Sequence, residues 1–135
     1  MPQYRGTEGE LIPVREARHL TRRYQRRKEE YLRAGDNYVE AEFFGLETFR
    51  RLLDECGGEP VGFRVYYSIT EEDHEGDEPV FTEDGTGRPT PRLVIVPVDA
   101  EGVELTGRMS IGGLKDMPDG GGNVMAKGPI CPRHC

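Results

Sequence analysis

The chain is poor in apolar residues and has no long apolar run. Hydrophobic residues make up 35% of its 135 positions and charged residues 32%, so we expect a modest core with long connections. No stretch is long enough to span a bilayer, and the N-terminus lacks the apolar region of a secretory signal peptide. We therefore expect a cytoplasmic protein without a membrane span, and we leave export by another route open.

Cysteine is also scarce, with three residues, two of which stand in the last five positions. An odd number leaves at least one thiol unpaired within a monomer, and a chain without an export signal favours reduced or metal-bound thiols over a disulfide framework. Cys131, His134 and Cys135 could give zinc two thiolates and an imidazole, with Cys56 or His74 as a fourth ligand. The sequence suggests no other cofactor.

The terminal cysteines have a second chemical interpretation, as a reactive thiol pair. Arg133 and a protonated His134 would favour the thiolate forms of Cys131 and Cys135. The gap of three residues differs from the redox motif C-x-x-C, and no thioredoxin-like βαβ pattern surrounds it. Free, metal-bound and disulfide-bonded states stay open, beside the simpler interpretation that the tail packs on the domain or on another subunit.

Catalytic motifs are missing from the chain. Ser68 and Ser110 lack the nucleophile-elbow sequence, and the glycines at 120–122 are followed by Asn123 instead of the lysine of a phosphate-binding loop. No acid–base pair or cofactor loop can be assembled from the other residues. We therefore expect a binding or assembly role in preference to catalysis.

Positive charge is concentrated in one segment. The formal charge of the whole chain is −7, which disfavours nonspecific nucleic-acid binding by the molecule as a whole. Residues 13–34 nevertheless hold eight basic side chains against three acidic ones, a net of +5, so the remainder carries −12. Four arginines of this segment form the basic half of the predicted partner-binding site: Arg15, Arg18, Arg22 and Arg26.

Negative charge is concentrated in residues 71–91, which hold eight acidic side chains before the first basic residue, Arg88. We predict a mobile acidic loop with a short strand at Val80–Thr82. Its oxygen ligands could suit calcium, but the EF-hand spacing is missing, so a solvated charge run is the simpler interpretation. We expect this block to neutralise the basic helix within the fold or between subunits, and its members in the predicted partner-binding site are Glu71, Glu72, Asp73 and Asp77.

Hydrophobic periodicity predicts two helices. The first begins at Pro13 and ends near Ala34, with Gly35 placed as its C-terminal cap. The second covers Leu46–Cys56, because apolar residues repeat there at helical spacing and two glycines follow. Cys56 is then expected on the buried face of the second helix.

Several segments predict strands. Residues 61–70 alternate apolar and polar side chains, which is typical of a half-buried strand with its apolar side facing the core. Residues 93–98 and 103–109, joined by a turn, predict an antiparallel hairpin, and residues 38–44 could add a short strand.

Together these elements predict an α+β fold, in which two helices pack on one face of a small, largely antiparallel sheet of three or four strands. Residues 1–111 are expected to form this domain. Residues 112–135 are expected to form an irregular tail, rich in glycine and proline, that ends in the cysteine and histidine cluster.

Five short pieces of the chain form a recognisable set: Phe44 with Gly45, the residues Gly-Phe-Arg-Val-Tyr at 62–66, the residues LVIVPVDAEG at 93–102, the residues at 120–123, and the terminal residues at 131–135. In these pieces the chain resembles a family of small uncharacterised bacterial proteins that end in Cys-Pro-x-x-Cys. The resemblance covers less than half of the chain. It implies a shared fold and tail, and it assigns no catalytic residue.

These patterns predict a non-enzymatic protein-binding or self-assembling subunit, in its simplest form a homo-oligomer, that uses the opposite charge blocks and the C-terminal tail. One alternative is a zinc-binding or thiol-redox protein that uses Cys131, His134 and Cys135. Another is nucleic-acid binding through the basic first helix.

Overall fold

The computed structural model describes residues 3–75, 78–82, 87–106 and 122–132. Its elements, in chain order, are α1 (Val14–Gln25), α2 (Lys28–Arg33), β1 (Ala41–Glu42), α3 (Leu46–Glu55), β2 (Pro60–Glu75), β3 (Glu78–Thr82), β4 (Arg88–Asp99) and β5 (Ile130–Cys131). Strands β1 and β5 form an antiparallel pair, and the second sheet has the order β3-β2-β4, with β2 and β3 antiparallel. The predicted α+β class is confirmed. No helix in these described ranges is long and apolar enough to cross a membrane.

The chain divides into two compact units, each assembled from three separate segments. The first unit contains Met1–Gly9, Phe44–Tyr66 and Leu93–Lys127, and the second contains Glu10–Phe43, Tyr67–Arg92 and Gly128–Cys135. Strands β2 and β4 therefore each contribute residues to both units.

Helix α3 supplies the core of the first unit. Its Leu52 packs with Ile95 of β4 and with Met125, and all three side chains are buried. Phe49, three residues before Leu52 and therefore on the same face of the helix, packs against this cluster. The prediction of this helix is confirmed within one residue, and Cys56, which caps it, is buried as predicted.

Strand β4 ends in a tight turn within the first unit. The Oδ1 atom of Asp99 accepts hydrogen bonds from two backbone N–H groups of the turn at 3.0 and 2.9 Å. The returning chain meets β4 at an isolated bridge between Val98 and Glu104. The predicted turn is therefore present, but the described return segment forms a bridge instead of a full strand, and residues 107–109 lie outside the described part.

The predicted helix over residues 13–34 is divided in the second unit into α1 and α2. The break falls at Arg26–Arg27, where the N–H of Arg27 donates to the carbonyl of Tyr24, three residues back, at 2.9 Å. Gly35 follows the end of α2 with φ of +83°, the left-handed conformation expected of a glycine after a helix. The prediction is right about helical structure and about its end, and wrong about continuity.

The described part of the acidic segment forms a β-hairpin instead of the mobile loop that its composition predicts. Strand β2 continues to Glu75, and β3 pairs with it in antiparallel register, for example Asp73 with Val80. The predicted strand at Val80–Thr82 is confirmed as part of β3. The loop prediction failed because Glu72, inside this segment, pairs with the buried side chain of Arg92, which lies twenty residues further along the chain.

Residues 122–132, the described part of the predicted tail, are mostly irregular but contribute to both units. In the first unit, Met125 and Ile95 exchange two backbone hydrogen bonds at 2.8 and 3.0 Å. In the second unit, Ile130 belongs to β5 and is 3% exposed. Two isolated apolar residues therefore fix a segment in which no packing was expected. Positions 112–121 and 133–135 of the predicted tail lie outside the described residues.

Candidate protein-binding surface

The inner face of β2 in the second unit is polar, and its side chains bind partners inside the fold. The hydroxyl of Ser68 donates to the carbonyl of Arg92 at 3.0 Å, and the hydroxyl of Thr70 donates to the carboxylate of Glu72. Glu72 accepts two hydrogen bonds from the Arg92 guanidinium at 2.7 and 2.8 Å, the fork geometry typical of arginine with a carboxylate. This face is therefore a satisfied polar network.

Arg92 is the centre of a buried ionic cluster. Its side chain is 3% exposed and lies between the carboxylates of Glu72 and Glu42, which are 0% and 1% exposed. Burial lowers the pKa of Arg92, but hydrogen bonds and charge from the two glutamates outweigh it, so that pKa is raised above its ordinary value. Arg92 also donates to the carbonyl of Gly128, whose N–H donates to Glu42 at 2.9 Å. The cluster thus holds the chain just before β5.

Glu72 is consequently excluded from any surface patch. Its predicted place in an exposed partner-binding set is wrong, because its carboxylate is fully buried against Arg92. Sequence reasoning missed Arg92 and Glu42 altogether. The alternation of Ser68, Thr70 and Glu72 indicates that one face of the strand is polar. The neighbouring sequence does not show that Arg92 and Glu42 are the charged residues that pack against this face.

The outer face of β2 in the second unit is apolar and exposed. Tyr67 and Ile69 are 92% and 74% exposed, and Val80 of the paired strand β3 is 43% exposed. Since side chains alternate along a strand, Glu71 and Asp73 project on this same face, and both are partly exposed. The prediction that the odd-numbered apolar side chains of β2 face the core is wrong here, because the polar side chains have the buried partners.

Helix α1 presents arginines to solvent. None of its residues is buried, and Val14 and Leu20 are 67% and 49% exposed. Spacings of three and four residues place four exposed arginines on one side of the helical segment, namely Arg15, Arg18, Arg22 and Arg26. Among the described residues, no ion pair includes any of these four. The basic half of the predicted site is therefore available to a partner.

A tyrosine cluster lies on the other side of the helices. The rings of Tyr24, Tyr31 and Tyr38 are 6.0 to 6.3 Å apart between centroids, and the ammonium of Lys28 lies 5.5 Å from the Tyr38 ring. The hydroxyl of Tyr24 donates to the carbonyl of Val39 at 2.7 Å. Burial is the main cause that raises the pKa of Tyr24 to about 12, and it also raises that of Tyr38. These rings anchor the helices and are not presented as a stacking surface.

The sequence favours reduced or metal-bound thiols at the terminal cysteines, and the structure differs at Cys131. Cys131 is disulfide-bonded and pairs through its backbone with Ala41, while Cys56 is a free thiol that donates to the carbonyl of Leu53 at 3.3 Å. His134 and Cys135 lie outside the described residues, as does Asp77. The backbone of His74 belongs to β2. Within the residues described, no three potential metal ligands come together.

No family model, curated protein or solved structure matches this chain.

Proposed function

We propose that this chain is a non-enzymatic, self-associating subunit in which the basic side of α1 of one copy binds the outer face of the β2–β3 hairpin of a second copy. The observation that carries the proposal is the exposure of Tyr67 and Ile69 beside the acidic side chains of Glu71 and Asp73. A strand face of this kind offers an apolar contact together with negative charge, which complements the positive charge of α1.

The apolar part supplies the attraction. Large side chains on a sheet face ordinarily lie against another layer, and contiguous exposed apolar patches mark interaction sites. Burial of a fully exposed isoleucine side chain contributes roughly 1.5–3 kcal/mol, so Ile69 alone would favour association measurably. Val14 lies four residues before Arg18, on the same side of α1, and its 67% exposed side chain can meet Ile69.

The charged part supplies orientation and salt sensitivity. The arginines of α1, which form no ion pair with any described residue, would meet a second copy whose residues outside 13–34 carry −12. Opposite potentials accelerate encounter and fix register, while salt weakens them, because the screening length falls from about 14 Å at 50 mM to about 4 Å at 500 mM. Each exposed pair contributes only about 0.2–1 kcal/mol, so the charges act together with the apolar contact.

A protein surface suits this helix better than a nucleic acid. Binding to single strands uses aromatic rings on which bases stack, and the tyrosines near α1 are packed against one another instead. The charge outside the basic segment would repel a polyanion and attract the basic side of another copy. The experiment must therefore distinguish self-association from binding of a nucleic acid.

The test is native mass by light scattering and sedimentation at increasing protein concentration, at low and high salt. The variant Arg18→Gln/Arg22→Gln removes two exposed charges and should weaken self-association by about two- to thirtyfold, which corresponds to about 0.4–2 kcal/mol. The matched control Arg50→Gln/Arg51→Gln removes the same charge from exposed positions of α3 and should change it less than about twofold.

Charge reversal identifies the two surfaces that meet. Copies with Arg18→Glu/Arg22→Glu and copies with Glu71→Lys/Asp73→Lys should each fail to self-associate, and a mixture of the two should associate again. A strictly monomeric chain at all concentrations would contradict the proposal, and so would self-association that the α1 variant leaves unchanged. Tight, salt-dependent binding of an RNA by a monomer would replace it with the nucleic-acid alternative.

A further inference from the structure

A cavity of about 240 Å³ lies within the first unit, and none of its lining residues belongs to the surfaces described above. One side is formed by the N-terminal segment, which is fixed where the N–H of Tyr4 donates to the carbonyl of Ala100 at 2.9 Å. Gly6 has φ of +89°, and a Cβ there would lie 3.0 Å from the carbonyl oxygen of Val61. The close approach of this segment to β2 therefore depends on glycine.

The cavity contains a cationic group at its wall. Arg64 is held by a hydrogen bond from its Nη2 to the hydroxyl of Tyr4 at 3.1 Å and by an ion pair with Glu104 at 3.5 Å. Its side chain remains 32% exposed, and a guanidinium has five N–H donors, more than Tyr4, Tyr66 and Glu104 together engage. Arg64 can therefore bind a further anion with a fixed, planar donor set.

An anionic group lines the same cavity. The carboxylate of Glu8 accepts hydrogen bonds from the backbone N–H groups of Arg5 and Gly6, both at 2.8 Å. These bonds lower the pKa of Glu8, so the group is ionised at neutral pH. The wall of the cavity also includes the apolar residues Val61, Phe63 and Val98.

We propose that this cavity binds a small zwitterion with an apolar body, of the class of free amino acids. The carboxylate of the ligand would pair with Arg64, its ammonium with Glu8, and its side chain with the apolar wall. The volume of about 240 Å³ is below the range of drug-sized pockets, which suits a ligand of the size class of a free amino acid. A ligand so small is expected to bind in the range of roughly 10 μM to 1 mM.

The test is calorimetric titration of the full chain with L-leucine and with two analogues that each lack one charge, 4-methylpentanoate and isoamylamine. Leucine should bind at least tenfold more tightly than either analogue, because each analogue leaves Arg64 or Glu8 without its ligand group. The absence of leucine binding at about 10 mM would overturn the proposal. So would equal binding of leucine and 4-methylpentanoate, because Glu8 would then have no role.

Two variants connect binding to the cavity. Gly62 lines it, and a Cβ at this position meets no atom within 4 Å, so Gly62→Leu should fold and should abolish binding by occupying space. Arg64→Lys keeps the charge beside Glu104, removes the planar donors, and should weaken binding at least fivefold. Unchanged leucine binding in a folded Gly62→Leu variant would place the ligand elsewhere and reject the assignment. Circular dichroism spectra and melting temperatures establish that both variants fold.

Discussion

The two faces of β2 in the second unit reverse the usual arrangement of a strand. On the inner face, Ser68, Thr70 and Glu72 are polar and find partners within the fold. On the outer face, Tyr67 and Ile69 are apolar and exposed. A polar side chain can be buried when each of its hydrogen-bonding groups is satisfied, whereas an exposed apolar side chain gains stability only from a partner. The inner residues stabilise the fold, and the outer residues are those that the proposed interface would bury.

The same contrast applies to arginine. Arg92 is 3% exposed and fixed between two carboxylates, while Arg18 and Arg22 are exposed and without ion pairs in the described part of the chain. Identical side chains therefore serve opposite purposes, because a buried charge is costly unless paired and an exposed charge is inexpensive either way. Substitution of the buried arginine should therefore lower the free energy of unfolding much more than substitution of an exposed one.

The largest effect is expected at the inner face. Arg92→Met should lower the free energy of unfolding by about 3–5 kcal/mol, because Glu72 and Glu42 would remain buried without their cation. Urea denaturation monitored by circular dichroism measures the loss. The control Arg33→Met, at an ion pair whose side chains are 77% and 83% exposed, should cost less than about 1 kcal/mol.

A compensating variant sharpens this prediction. Arg92→Met/Glu72→Met replaces a charged pair by two apolar side chains and should be more stable than Arg92→Met alone, since one uncompensated carboxylate is removed with the cation. Equal effects of Arg92→Met and Arg33→Met would show that the cluster adds nothing to stability, and the distinction between the two faces of β2 would fail.

Local patterns predicted the parts of the fold that depend on local chemistry. The spacing of apolar residues at Leu46, Phe49 and Leu52 determined α3 within one residue, and the glycine after α2 marked its end. The direction in which β2 faces could not be obtained this way. It depends on Arg92, which is twenty residues from Glu72 and fifty from Glu42, and both glutamates resemble ordinary surface charges.

The candidate surface was only half accessible to sequence reasoning. The arginines of α1 were identified because helical spacing and charge are both local properties. The acidic partners were identified by composition, which gave Glu71 and Asp73 together with Glu72, a residue that is buried. The apolar side of the surface was missed, because alternation predicts that the apolar face is buried, whereas here the polar face has the buried partners.

A smaller effect is expected where the helices meet their tyrosine cluster. The raised pKa of Tyr24, about 12, means that the folded state holds its proton above the ordinary tyrosine pKa of about 10. The contribution of Tyr24 to stability should therefore be constant below about pH 10. It should fall by about 1–2 kcal/mol, allowing for solvent screening of this partly exposed group, as the pH rises towards 12, because the unfolded chain loses that proton first. Chemical denaturation at a series of pH values measures this slope.

Substitution isolates the contribution of this residue from other groups that titrate at high pH. Tyr24→Phe should make the fall shallower, while Tyr67→Phe, at a ring that is 92% exposed, should leave it unchanged. If both variants followed the parent chain at every pH, the cluster would have no energetic role in anchoring α1 and α2.

The smallest effect on the monomer is expected at the outer face of β2. Tyr67→Thr/Ile69→Thr keeps residues that favour strands and removes only exposed surface, so the free energy of unfolding in dilute solution should change by less than about 1 kcal/mol. The melting temperature of the parent chain should rise with protein concentration, because association stabilises the folded state by mass action, and that of the variant should not. A variant that unfolds already in dilute solution would show instead that these side chains belong to the core. Since Tyr67 and Ile69 lie on the same strand as Glu72, this pair of measurements tests within one element whether a side chain supports the fold or the interface.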